Sequence, residues 1–241
     1  MVAAALAGCG ANAGAAVHGE VAPAGQPPSA PAAAARAAAP ALLVDHLRGV
    51  HDARQVVSVV ASGYGSTYAT VRAFAKTSHG WRQTFGPWTA RIGRNGFAPR
   101  GDKREGDGRT PTGSFHLQFM FGVDPNPGVH FRYRQSQSTS KWDDDSASAN
   151  YNRWVDTRSG YPGRNPESMR VLPVYRYGVV VAYNTARTPG RGSAIFFHVT
   201  DGQSTAGCIA VSRSRVVRLL RWLRPVRKPR MIMGTKAAVT S

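Results

Sequence analysis

Two residues have the types and spacing for covalent chemistry. His198 follows the apolar run Ile195-Phe196-Phe197, and Cys208 lies ten positions further on, within the stretch IFFHVTDGQSTAGCIAV at 195–211. A cysteine attacks as its thiolate, and an ordinary thiol pKa of about 8.5 keeps it protonated at neutral pH unless a base or cation sits beside it. A histidine within hydrogen-bond reach takes that proton and later returns it to a leaving amine. Residues 200–207, TDGQSTAG, are loop-forming types, so the chain can turn and bring the two side chains together. Gly207 permits a sharp bend and the close approach of a carbonyl group. Residue types alone leave blander readings open. A cysteine after Ala-Gly also suits a small core position, and a histidine on an apolar strand also suits a hydrogen-bonded structural one. A zinc set of His198, Asp201 and Cys208 lacks a fourth ligand and any familiar spacing. No metal and no cofactor is therefore expected.

The elements that must hold these residues read as short strands. QVVSVVASGYG (55–65), YATVRAFAK (68–76), one or two strands in 81–97, FHLQFMFG (115–122), MRVLPVYRYGVVVAYN (169–184) and SAIFFHV (193–199) are rich in apolar and β-branched residues. Asn95-Gly96 is a tight-turn pair. PRGDKREGDGRTPTGSF (99–115) is a long polar loop, and GDGRTPTG within it reads as scaffold. Residues 124–170 are irregular, and WDDD (142–145) and YNRW (151–154) are expected in a loop or lid over a cleft. One segment reads as a helix, SRSRVVRLLRWLRP (212–225), clearest at about 214–223. Its stripe is Val216, Val217, Leu219, Leu220 and Leu223; Ser212 or Ser214 caps its start and Pro225 stops it. The fold class is mainly β, a sandwich or barrel with one or two short helices.

The 241 residues suit one domain plus a tail. Apolar residues are 42%, and no apolar run is long enough to span a bilayer. Net charge is +18, all of it after residue 50. Such a charge implies an anionic partner. The basic run from Arg213 to Arg230 has no nucleic-acid motif beside it, so an anionic cell envelope is expected and nucleic acid is not. Arginine usage in GC-rich coding sequence is a second source of this excess. At the N-terminus, Leu6-Ala7-Gly8-Cys9 resembles the lipobox of bacterial lipoproteins, which implies lipid on Cys9 and a membrane anchor. No basic segment precedes it. The division expected is a signal or lipobox remnant at 1–9, a disordered Ala/Pro/Gly-rich tether at 10–50 and the folded domain at 51–241.

FFHVTDGQSTAGCIAVS resembles the active-site segment of the L,D-transpeptidases, the YkuD-type catalytic domain. In that family a histidine ends a strand, and a Ser/Thr-x-Gly-Cys signature follows a loop. KREGDGRTPTGSF (103–115) is similar to the family's Asp-Gly-x-Thr-Pro-x-Gly segment, and RIGRNGF (91–97) to the stretch before it. The three matches occur in order, over about 54–234. The resemblance implies a β-rich fold, a cysteine acyl-enzyme and peptidoglycan stem peptides as substrates. It makes Cys208 the nucleophile and His198 the general base. It puts the oxyanion hole at the backbone N–H groups of Ala206, Gly207 and Cys208. Thr205-Ala206 stands where the family commonly has Ser-His, and Ala210 where it often has Arg or Asn. Thr205, Tyr183 and Arg213 are the expected substrate contacts. The implied location is extracytoplasmic, in the cell envelope.

Overall fold

The computed structural model describes residues 41–161 and 163–240. Cys9, the lipobox-like segment and residues 10–40 of the expected tether lie outside the described residues. Fourteen strands follow in chain order: β1 Gln55–Ala61, β2 Tyr68–Thr77, β3 Gly80–Arg91, β4 Phe97–Ala98, β5 Thr110–Pro111, β6 Gly113–Gly122, β7 Tyr133–Gln135, β8 Ser140–Asp143, β9 Arg153–Asp156, β10 Glu167–Ser168, β11 Gly178–Val181, β12 Phe196–Val199, β13 Ile209–Val211 and β14 Arg230–Thr235. The two α-helices are α1 Arg213–Trp222 and α2 Lys236–Val239.

The main sheet runs β11-β12-β13-β3-β2-β1-β14-β6, and β6 pairs back onto β11 to close an eight-stranded barrel-like sheet; β7 adds to β6. Closure leaves no long free edge. The outcome is a barrel rather than a sandwich. Alternation along the strands explains the layering. Val57, Val59, Val71, Phe197, Val199, Ile209, Val211, Met231 and Met233 share one core, while their neighbours Val56, Phe196, Cys208 and Ile232 belong to clusters on the other face. Helix α1 adds Val216, Leu219, Leu220 and Leu223 to the inner core.

The outer face carries two covers. Leu42–Ala53 and Val239 pack on Val56, Phe74 and Ile232, and Leu47 bridges to Thr240. The folded unit therefore begins before residue 51, because β1 is apolar on both faces and Val44 and Leu47 bury its outer one. The second cover is the excursion between β7 and β11. Its three-stranded sheet, β10-β8-β9, with the segment after β10 and the 3-10 turn Val174–Arg176, lays Trp142, Met169 and Tyr175 against Phe121, Phe196 and Cys208.

Several boundaries differ from the sequence expectation. Ser212 occupies the N-cap of α1 without a side-chain cap bond, and the helix ends at Trp222 before Pro225 is reached. Buried Gln55 holds that end instead: its amide donates to Trp222 O at 2.9 Å and accepts from Arg224 N at 2.8 Å. In 169–184 only Gly178–Val181 is ladder strand, since Val174–Arg176 forms a 3-10 turn. β14, between β1 and β6, has no counterpart among the expected strands.

Phe197 is fully buried inside the barrel, whereas Val226 is 84% exposed. Phe197→Ala is expected to cost about 3–5 kcal/mol, and Val226→Ala less than about 0.5 kcal/mol. Thermal or urea denaturation of the two variants checks the difference, and similar losses would contradict the layering.

Candidate active site

β12 and β13 pair in parallel, with Phe197 opposite Ile209 and His198 opposite Ala210. Residue 208 is therefore level with Phe196, two positions before His198's partner, and period-two alternation puts Phe196, His198 and Cys208 on the outer face. The chain returns from β12 to β13 through residues 200–208. Thr205 anchors that return: its N–H donates to Ile92 O at 2.9 Å and its hydroxyl to Cys208 O at 2.7 Å. Thr110 Oγ1 reaches the same carbonyl at 3.5 Å and accepts from Gly93 N at 2.9 Å. The GDGRTPTG segment is scaffold, as its composition suggests, and it clamps the residue that carries the thiol. Gly207 has φ +155°, and a Cβ there would sit 2.9 Å from Arg109 O and 3.2 Å from Ile195 Cδ1.

Cys208 and His198 line one cleft of about 290 Å³ together with Lys103, Glu105, Asp144, Glu167, Tyr175 and Thr205. Both are buried, at 7% and 4% exposure. Cys208 Sγ donates to Ala194 O at 3.2 Å and accepts from Phe196 N at 3.3 Å. His198 Nδ1 lies 2.9 Å from Val199 O. A carbonyl only accepts, so Nδ1 carries the proton and the Nε2 lone pair is left as the basic position. In the resting arrangement the thiol is thus bonded to main chain, beside but not bonded to the imidazole.

Burial sets the charges. It raises the Cys208 thiol pKa far above the usual range, and nearby Glu167 adds to the rise; the Phe196 N–H and Lys103 oppose it. Burial lowers His198 to about 4, against the Val199 bond and Asp201. Both groups are neutral at pH 7; the imidazole is unprotonated, and the same desolvation that keeps it so weakens it as a base. Across the cleft, burial raises Glu167 to about 7, although the Tyr175 hydroxyl donates to it. Burial first, then Glu105, Asp143 and Asp145, raises Asp144 to about 6. Tyr175 also sets its ring edge-on to His198, with centroids 5.4 Å apart at 87°. Lys103, 4% exposed, is neutralised by Asp107 at 2.7 Å.

The expected residues divide clearly. Cys208, His198, Thr205, Ala206 and Gly207 meet in the cleft. Gly207 N–H is engaged by Thr205 Oγ1 at 3.1 Å. Among the described residues, no acceptor engages the N–H of Ala206 or Cys208. Tyr183 instead lines a neighbouring cavity, its hydroxyl donating to Arg191 O at 2.6 Å and its ring edge-on to Phe115. Arg213 is elsewhere again, paired with Asp124 at 3.3 Å and set over Tyr177, because α1 leads its first turn away from the thiol. WDDD lies over the cleft as expected, but as strand rather than loop at its start: Trp142 and Asp143 end β8, Asp143 is fully buried and accepts from Ser148 Oγ and Asp145 N, and Asp144 reaches the cleft. Sequence reasoning missed Lys103, Glu105, Glu167 and Tyr175. Alternation in 169–184 was the one available signal for Tyr175.

Residues 69–239 match the family model of the L,D-transpeptidase catalytic domain, YkuD. The match spans most of the chain, from β2 to the last turn of α2, and the chain belongs to that family. Among solved structures it is similar to the helical cell shape determining protein Pgp2 from Campylobacter jejuni, at 15% identity and a TM-score of 0.38. That alignment covers 79% of this chain and 51% of the other, so the chain spans about half of that protein's length. No curated protein matches the chain.

The depressed His198 pKa has a stability consequence with a definite sign. The unfolded chain binds a proton near pH 6.5 that the folded state refuses until about 4. Folding stability tied to His198 is therefore lost as pH falls through that window. Glu167 and Asp144, raised in the fold, act in the opposite direction. Measured by thermal denaturation from pH 7.5 to 4, His198→Gln should gain stability relative to wild type as pH falls. A difference independent of pH would refute the buried neutral imidazole.

Proposed function

We propose that the domain is a cysteine acyltransferase of peptidoglycan stem peptides, an L,D-transpeptidase in activity as well as family. The observation that carries the reading is a buried thiol and a neutral imidazole with a free Nε2 lining one cleft on adjacent strands. In the first half-reaction the Cys208 proton passes to His198 Nε2 as sulfur attacks a stem-peptide carbonyl, forming a C–S bond. The thiol reaches the imidazole by turning away from Ala194 O. The carbonyl oxygen becomes an oxyanion facing the N–H groups of Ala206 and Cys208, with Gly207 allowing close approach. The tetrahedral centre expels the amine of the donor's terminal D-residue, which takes the proton from His198. In the second half an acceptor amine attacks the thioester, restores the thiol and makes the crosslink. Water as acceptor gives an L,D-carboxypeptidase with the same residues.

Supporting features lie outside the cleft. Net charge +18 favours residence in an anionic wall. On this reading the domain works outside the cytoplasm, tethered by residues 10–40 to a lipid on Cys9.

The thiol's bonds to Ala194 and Phe196 favour one competing reading, a basic wall-binding module without catalysis. Incubation of the protein with a muropeptide carrying a tetrapeptide stem separates the two. Wild type should release the terminal D-residue and yield an acyl-enzyme detectable by mass. Cys208→Ala should do neither, and His198→Gln should lose about 10²- to 10⁴-fold in turnover. Equal turnover by wild type and Cys208→Ala would eliminate the enzymatic reading.

A further inference from the structure

A second cavity, about 310 Å³, lies beside the cleft and takes no part in the chemistry above. Arg134, Arg153 and Arg187 contribute three cations to its lining, and Phe119, Trp142, Trp154 and Tyr183 contribute the aromatic walls. None of the three arginines has a carboxylate partner among the described residues. The chain does supply partners elsewhere: Arg176 and Arg213 share Asp124, and Arg158 pairs with Asp156. Arg134 is the most constrained of the three. Its guanidinium lies 4.4 Å over the Phe119 ring and 5.7 Å from that of Trp154, and its Nε–H is buried without an acceptor. Burial and neighbouring Arg132 disfavour its charge. A buried N–H left unbonded is costly, and an acceptor reaching Arg134 from this cavity would offset that cost.

The wall between cavity and cleft is thin and fully bonded. Asn152 Oδ1 accepts from Trp142 Nε1 at 3.1 Å and from Ala194 N at 3.2 Å, and its Nδ2 donates to Tyr183 O and Asn184 O at 3.0 Å. Ala194 O in turn holds the Cys208 thiol. A ligand in the second cavity is thus linked to Cys208 through Asn152 and Ala194. The planar guanidinium suits a carboxylate, which it can hold with two parallel hydrogen bonds. The indole and phenyl faces suit the C–H face of a sugar or side chain.

We infer that this cavity is a carboxylate-binding subsite that takes the free carboxylate end of a wall stem peptide, with Arg134 as its principal anchor. The ligand's identity rests on the function proposed above; the anion site itself does not. The test uses the full chain carrying Cys208→Ala, so that binding is read without turnover. Probes are a muramyl tripeptide with a free terminal carboxylate, its carboxamide, and inorganic phosphate. Calorimetry and the fluorescence of Trp142 and Trp154 follow binding. The carboxylate form should bind about tenfold or more tightly than the carboxamide, and Arg134→Gln should remove that preference. Arg153→Gln, at an exposed position, should weaken it in a chain whose fold is not at risk. Equal binding of acid and amide, equal binding by the parent and both arginine variants, or no binding of the acid overturns the subsite. Phosphate binding in preference to the carboxylate also overturns it and assigns the cavity to phosphate. If turnover proves absent in wild type but these binding results hold, the catalytic reading falls and the subsite stands.

Discussion

The parallel pairing of β12 with β13 governs everything at the site. Parallel neighbours ordinarily need a crossover of a dozen or more residues. Here residues 200–208 make the return between Val199 and Ile209. So short a path must run back along the strand it has just left, and it delivers Cys208 beside Phe196 at the start of β12. The connection survives because it is pinned at each point. Thr205 bonds Ile92, two threonine hydroxyls share Cys208 O, and Gly207 passes Arg109 where no Cβ fits. The RIGRNGF and GDGRTPTG segments are joined to each other and to this loop by the bonds of Gly93, Thr110 and Thr205. Three stretches distant in sequence are therefore one structural unit, and its product is the position of a single sulfur atom.

Burial follows from the face on which that atom emerges. Inner positions of β12 and β13 fill the barrel, so the reactive side chains occupy the outer face and need a separate cover. The excursion between β7 and β11 supplies it, with Trp142 from β8, Met169 just after β10 and Tyr175 from the 3-10 turn. The cover determines the acid–base state as well as access. A thiol raised and an imidazole lowered by the same desolvation form a neutral pair rather than a thiolate–imidazolium pair. Under the proposed reaction, proton transfer in such a pair accompanies attack and waits for a carbonyl to be in place. Glu167 reinforces this by opposing a thiolate nearby, while Tyr175 links it to the edge of His198.

What could be read from sequence follows the range of the interaction involved. Strands β1, β2, β6 and β12 announce themselves because alternation or a dense apolar run is a local signal. β14 does not. Its two methionines carry little strand preference and it follows an arginine-rich segment, yet it is buried between β1 and β6. Cys208 and His198 were legible as a pair through their short separation. Glu167 and Tyr175 were not, since their approach to the thiol depends on the β10-β8-β9 sheet folding over the barrel. Tyr183 and Arg213 lie outside the cleft that holds the pair. Both are near the pair in sequence, but Tyr183 opens onto the next cavity and Arg213 onto Asp124. Proximity along the chain does not report which side of a wall a side chain occupies.

The charge of the domain gains meaning from this partition. A uniform excess of arginine would give a basic surface and nothing more. Instead, the carboxyl groups of Glu105, Asp144, Glu167 and Asp201 gather in the cleft with Arg94 and with Lys103, which Asp107 pairs, while Arg134, Arg153 and Arg187 face the adjoining cavity without a carboxylate among them. Asn152 separates the two environments and satisfies groups on both sides. If the proposed function holds, a stem peptide carrying both amine and carboxylate groups meets mostly carboxyl groups beside the thiol and unpaired guanidinium groups in the adjoining cavity. Under the proposed reaction this polarity orients the ligand across the wall before any bond is made, and orientation of that kind lowers the barrier without a further chemical group.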